Sequence, residues 1–168
     1  HFIVKSLGMT RPGGLVAVLT SRYTMDSRNP AARREMNELG DLVGAVRLPT
    51  GAHQRAAGTE AVTDLLIFKR REPGVEPADR SWEVSSPITL DGPSGAEEQV
   101  WVNEYWQTHP GHVLGEFSLQ IGMYGQAGLE VHGQVDQLDV QLRQALAEIS
   151  DSAVTHGLGL SARTEKQQ

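Results

Sequence analysis

The chain has 168 residues, enough for one hydrophobic core; a domain of about 150 residues buries roughly two thirds of the surface its unfolded chain exposes. It has no cysteine, which excludes disulfides and thiolate metal sites, and its most apolar run, Leu15 to Leu19, is far too short to cross a bilayer. The net charge of −6 is uneven: residues 1–71 hold 11 Lys and Arg against 6 Asp and Glu, and residues 72–168 hold 4 against 15. A basic first segment is compatible with phosphate contacts, and an acidic second segment argues against a nucleic-acid face there. Two solvated surfaces of uneven charge account for the same numbers.

In chain order, residues 2–9 read as a helix with Phe2, Ile3, Leu7 and Met9 facing a sheet. Pro12-Gly13-Gly14 stops it and makes a turn. Leu15 to Leu19 lacks polar alternation, the pattern of a strand buried on both faces in a parallel sheet. Asn29 and Pro30 suit the N-cap and first position of a helix over residues 30–39, and Gly40 suits its stop. That helix places Ala32, Met36 and Leu39 on one side and leaves Arg33, Arg34, Glu35 and Glu38 to water. Val43 to Leu48 and Val62 to Lys69 read as two further strands.

Glu72 to Arg80 reads as a linker, and residues 72–133 together as a connector. In it, Ser81 to Leu90 reads as a strand, Asp91 to Glu98 as a loop, and Val100 to Trp106 as an aromatic stretch that packs on the domain or on a missing neighbour. Gly111 to Gly133 reads as a hairpin or irregular segment. Val135, Leu138, Leu142, Leu146 and Ile149 recur at helical spacing, so residues 134–150 form an amphipathic helix. The tail, 151–168, reads as disordered, most clearly beyond Thr155.

Several motifs stand in a fixed order. Arg11-Pro12-Gly13-Gly14 precedes the first strand, and Thr20-Ser21 with Met25-Asp26 follows it. Arg47-Leu48-Pro49 ends the second strand, and Gly58-Thr59-Glu60 precedes the third. Asn103 to Gly115 and Met123-Tyr124-Gly125 come later. With this order and spacing the chain resembles the C-terminal half of adenine-specific (N6) DNA methyltransferase domains. The likeness is nearest to the methylase part of bacterial methylase-helicase fusion proteins of mobile elements. It is looser to the modification subunits of type I restriction systems.

The resemblance implies an α/β fold. Residues 1–71 would be the last three strands of a Rossmann-like, seven-stranded S-adenosylmethionine-dependent methyltransferase sheet, with the final strand antiparallel beside its neighbours. An irregular α+β extension and a C-terminal helix would follow. It implies methyl transfer from S-adenosylmethionine to adenine in double-stranded DNA by the intact parent, a cytoplasmic location, a missing N-terminal methylase half and a following helicase part. In this family a Gly-rich loop holds the donor and an Asn/Asp-Pro-Pro-aromatic motif grips the amine of the flipped base. Neither occurs here, and Asn29-Pro30-Ala31-Ala32 lacks the second proline and the aromatic residue. The expectation is a fragment inactive by itself, with an exposed sheet edge where the earlier strands would pair.

Ligands of open α/β sheets bind outside the carboxyl ends of the strands. Thr20, Ser21, Arg47, Pro49, Gly58, Thr59 and Glu60 are therefore the base-pocket or cofactor-proximal candidates. Arg22, Arg28, Arg33, Arg34 and Arg55 are the candidates for phosphate contacts, a role suited to guanidinium geometry. The plainer alternative is that Thr59 and Glu60 close a turn and Arg47 pairs with a surface carboxylate. His109 and His112 lack a third ligand cluster nearby, so no metal is expected. The alternatives at the level of the whole chain are a non-enzymatic DNA- or protein-interaction module, or the connector region of a larger methylase-helicase. In the module, the helix at 134–150 and the aromatic stretch would be docking surfaces.

Overall fold

Pro12-Gly13-Gly14 separates the first helix from the first strand, and the backbone follows that punctuation. Helix α1 spans Phe2–Met9, strand β1 spans Leu15–Ser21, and Gly13 lies between them at φ 83°, a conformation that costs glycine little. The computed structural model describes residues 2–52, 61–121 and 127–159. A short helix α2, Tyr23–Asp26, and helix α3, Ala31–Leu39, come next. The helix opens one residue later than the sequence predicts: Pro30 is its N-cap, its carbonyl accepting the Arg34 amide at 2.9 Å, and the Asn29 side chain accepts the Ala31 amide at 3.0 Å. Strands β2, Gly40–Arg47, and β3, Thr63–Arg70, complete the first sheet.

The sheet order is β1-β3-β2, with β3 antiparallel to both neighbours. β1 and β2 therefore run in the same direction. Their carboxyl ends meet the start of β3, where Ser21 pairs with Thr63 and Arg47 with Asp64. Beyond the linker lie strands β4, Ser85–Asp91, and β5, Glu97–Asn103, paired as a hairpin. Helix α4, Glu104–Thr108, precedes a second hairpin of β6, Glu116–Ile121, and β7, Ala127–His132. Helix α5, Leu138–Thr155, follows. The described elements are thus three small antiparallel sheets with helices, and a doubly wound parallel sheet is not among them.

One face of the first sheet meets α1, α3 and the connector. Ile3, Leu7, Met36, Leu66 and Phe68 share a core cluster with Trp82, Val102, Tyr105 and Trp106. The aromatic stretch thus packs on the sheet of its own chain, and the Phe68 and Trp82 rings meet edge-on at 5.9 Å. The opposite face receives α5. Ala145 and Ile149 pack there with Val46, Leu48 and Leu65. A bulge in β2 adapts the strand to both layers: Leu42 pairs with Phe68, Gly44 with Ile67, and Val43 is the extra residue. Val43 then joins the α5 side while Leu42 and Ala45 stay with the first core. Gly44 is the seat of α5, because a Cβ there would lie 2.5 Å from Cγ2 and 2.8 Å from Cδ1 of Ile149.

Four further expectations are corrected. β1 is not buried on both faces: its residues alternate between exposed and half-buried, and Leu19 keeps 49% exposure. α5 covers the β2 side of its face and stops short, and among the described residues the apolar run of β1 is an edge strand. In α1 only Ile3 and Leu7 are buried, while Phe2 and Met9 are exposed. Arg33 is buried rather than solvated. The final helix starts with a 3-10 turn at Val135–Gln137 and runs to Thr155, so residues 151–155 belong to it and not to a tail. Among the described residues no helix is long and apolar enough to cross a membrane.

Candidate functional site at the carboxyl ends of β1 and β2

Asp26 ends α2 and Asp64 is the second residue of β3, and both carboxylates are buried at the ends of β1 and β2. Arg47, wholly buried, joins them. Its Nε and Nη2 donate to the two Asp64 oxygens at 2.8 Å each, and its Nη1 donates to Asp26 Oδ2 at 2.8 Å. Arg22 Nη1 donates to the same Asp26 oxygen at 2.9 Å, and the Asn103 amide donates to Asp26 Oδ1 at 2.9 Å. The Arg47 guanidinium also lies 4.6 Å from the Trp106 ring centroid. Fork-shaped bidentate pairing of this kind is the strong form of an arginine–carboxylate bond.

Burial alone pushes the Arg47 guanidinium toward neutrality, but the Asp64 and Asp26 charges outweigh it and hold the pKa above its ordinary value. Burial raises the Asp64 carboxyl above the usual carboxylate range, opposed by the charge and hydrogen bonds of Arg47. Asn103 extends the frame. Its side-chain amide donates to the carbonyls of Met25 at 2.6 Å and Trp82 at 2.8 Å, and its oxygen caps α4 through the Tyr105 amide. The network ties β2, β3, α2, β5 and α4 together, and each of the three Arg47 nitrogens donates to a buried carboxylate. It is a structural junction rather than an open pocket.

The predicted site residues divide accordingly. Arg47 is locked in this junction. Its partners are buried carboxylates, not the surface one that the plainer reading supposes. Pro49 is buried beneath the second hairpin, where a Cβ on Gly133 would lie 2.7 Å from its Cγ. Thr20 shares a 2.8 Å hydrogen bond with Thr24, and Ser21 is exposed beside it. Arg55, Gly58, Thr59 and Glu60 lie outside the described residues. Arg33 spends its guanidinium on the fold, donating to the carbonyls of Glu83 at 2.9 Å, Ser27 at 2.7 Å and Thr24 at 3.2 Å. Arg34 is 65% exposed and only 3.9 Å from Glu83. Arg28 is exposed, with its guanidinium 4.4 Å over the Trp101 ring.

An open cleft of about 260 Å³ lies beside these residues, lined by Ser21, Tyr23, Thr24, Ser27 and Asn29 among others. A second cavity of about 210 Å³ separates β2 from α5 and is bordered by Tyr105, His109, His112, Ser152 and His156. The Ala45 amide donates to the Tyr105 oxygen at 3.1 Å, so the phenol donates onward to His112 Nδ1 at 2.8 Å. His112 Nε2–H then faces Glu148 at 3.3 Å. Burial pushes the phenol up to about 12. His112 is held below its ordinary value by burial and by the His109 charge, opposed by Glu148. Among the described residues no group of His, Asp and Glu is placed to hold a metal ion.

Sequence reasoning missed Asp64, Asn103, Tyr23 and Trp101 as site-forming residues. Asp64 does carry a signal: it is a carboxylate inside an otherwise apolar strand, which requires a buried cation. Comparison with protein-family models, curated proteins and solved structures returned no match.

Proposed function

We propose that this chain is the DNA-facing part of an S-adenosylmethionine-dependent DNA adenine-N6 methyltransferase, with β1, β2 and β3 as the last strands of a Rossmann-like sheet. The sheet order carries the reading. β3 enters antiparallel between two strands that run the same way, as the resemblance implies for the final strand. The carboxyl ends of β1 and β2 then share one rim, where ligands of such sheets bind. The uncharged β1, half-exposed and without a strand partner on its outer side among the described residues, is an edge where further strands would pair.

On this reading Arg47 and the two aspartates hold the rim in shape, Ser21 and Thr20 face the target strand, and Arg22, Arg28 and Arg34 meet phosphates. The donor loop and the amine-gripping motif come from another part of the parent enzyme, so this chain alone contributes DNA contacts and no turnover.

The test is fluorescence anisotropy of labelled duplex DNA with the purified protein across a salt series, beside filter binding of tritiated S-adenosylmethionine. Duplex binding that weakens with salt and drops further in Arg28→Ala and Arg34→Ala is expected, since each lost phosphate contact removes about one counterion from the salt slope. Absence of duplex binding at about 50 mM salt would refute the reading. Micromolar donor binding would overturn the division of labour, because the chain would then hold a complete cofactor site.

A further inference from the structure

Two ring–guanidinium pairs stand near each other: Tyr23 and Arg28 are exposed, Trp101 is half-buried, and the Arg22 side chain keeps 15% exposure; Tyr23 also lines the cleft. Tyr23, the first residue of α2, is 66% exposed, and the Arg22 guanidinium lies 4.7 Å from its ring centroid. Trp101 stands on β5 with the Arg28 guanidinium 4.4 Å over its ring. Arg22 Nη1 reaches the Trp101 carbonyl at 3.5 Å and so links the two pairs. Arg22 is anchored by Asp26, whereas Arg28 has no carboxylate partner among the described residues. The acidic end of the hairpin, Glu97 and Glu98, lies toward the far tip of β5.

From this arrangement we infer that Arg22, Tyr23, Arg28 and Trp101 form a stacking platform for unpaired bases of single-stranded DNA. Every base has a π-face that stacks on an aromatic ring or a guanidinium plane, and the exposed Arg28 guanidinium neutralises an adjoining phosphate. In a duplex the base faces are covered by their neighbours, so duplex DNA would use the arginines and leave the rings idle. The cleft beside Tyr23 offers Ser21, Ser27 and Asn29 to the edge of a base that stacks there. The positive charge of Arg28, clear of the acidic hairpin tip, sets the side on which the strand runs. The choice of DNA over another polyanion rests on the proposed function; the stacking itself rests on the geometry.

The experiment measures binding of labelled oligo(dT), oligo(U) and a matched duplex to the full chain and to four variants. Tyr23→Ala and Trp101→Ala lower oligo(dT) affinity about tenfold or more each and leave duplex affinity unchanged. Tyr23→Phe and Trp101→Phe keep the rings and bind as the parent does, which separates lost stacking from a damaged hairpin. Oligo(dT) binding that is absent, or indifferent to both alanine variants, overturns the platform, and retained duplex binding would then leave the proposed function standing. Ring-dependent oligo(dT) binding without duplex binding supports the platform and counts against the proposed function. A tenfold or greater preference for oligo(U) overturns DNA as the occupant.

Discussion

Replacing Arg47 by Met keeps most of the side-chain stem but removes the cation between Asp26 and Asp64. Asp26 retains Arg22 and the Asn103 amide, whereas Asp64 loses the one side chain that hydrogen-bonds it among the described residues while fully buried. Removing one partner of a buried pair costs about 3–5 kcal/mol, against about 5–15 kcal/mol of total stability for a domain. For a chain of this length that is a fall in melting midpoint of roughly 6–20 °C. Burial already raises the Asp64 carboxyl, and loss of Arg47 raises it further. A carboxyl with a raised folded-state pKa takes up its proton in the folded protein before the unfolded one does. The variant's deficit therefore shrinks as pH falls through the folded value toward the unfolded carboxylate range. Arg47→Met with Asp64→Leu removes both charges and recovers at least half of the loss. Urea and thermal unfolding followed by circular dichroism read all of this. If Arg47→Met costs less than about 1 kcal/mol while DNA binding disappears, Arg47 serves a ligand and the junction argument fails.

The seat of α5 gives a second test. Gly44→Ala forces its new methyl into Ile149 and should cost about 1–3 kcal/mol, and Ile149→Ala added to it should cost less than the sum of the two single changes by urea unfolding. Strict additivity would mean that α5 does not rest on Gly44. His112 supplies a pH test. Its folded pKa is lowered by burial and by His109, so stability is present above the unfolded value of about 6.5 and is lost as pH falls toward the folded value. The melting midpoint should drop as pH falls through about 6.5, and His112→Gln should blunt the drop; an unchanged profile in the variant refutes the assignment. Leu19→Lys, on the uncovered face of β1, should change stability by no more than about 0.5 kcal/mol and raise solubility. A loss of several kcal/mol would show that the face is covered.

The elements were legible because each is written locally. Pro12-Gly13-Gly14, Asn29-Pro30 and Gly40 mark boundaries, and the spacing of Leu138, Leu142, Leu146 and Ile149 marks α5. What was illegible depends on partners distant in sequence. Arg33 looks like a surface residue in its helix, yet its acceptors include the Glu83 carbonyl and Ser85 Oγ. The bulge at Val43 has no local sign, since it serves two layers at once. β1 misled because an apolar run states what a strand prefers to bury, not what its own chain supplies to cover it. At the candidate site, Ser21 and Arg28 are exposed, while Arg22 is turned into the Asp26 pair. Arg47 and Pro49 proved to be part of the frame.

The Tyr105 phenol has one more consequence, for how the sheet can grow. It caps the Ala45 amide on the outer side of β2, and the Leu114 amide occupies the Arg47 carbonyl on the same side. That side of the sheet is therefore closed to a further strand, while β1 has no strand on its outer side among the described residues. Growth is directional. Two copies that pair through β1 would satisfy each other and leave the first sheet no second open edge among the described residues, so association through this sheet ends at a closed pair and does not propagate into a fibre.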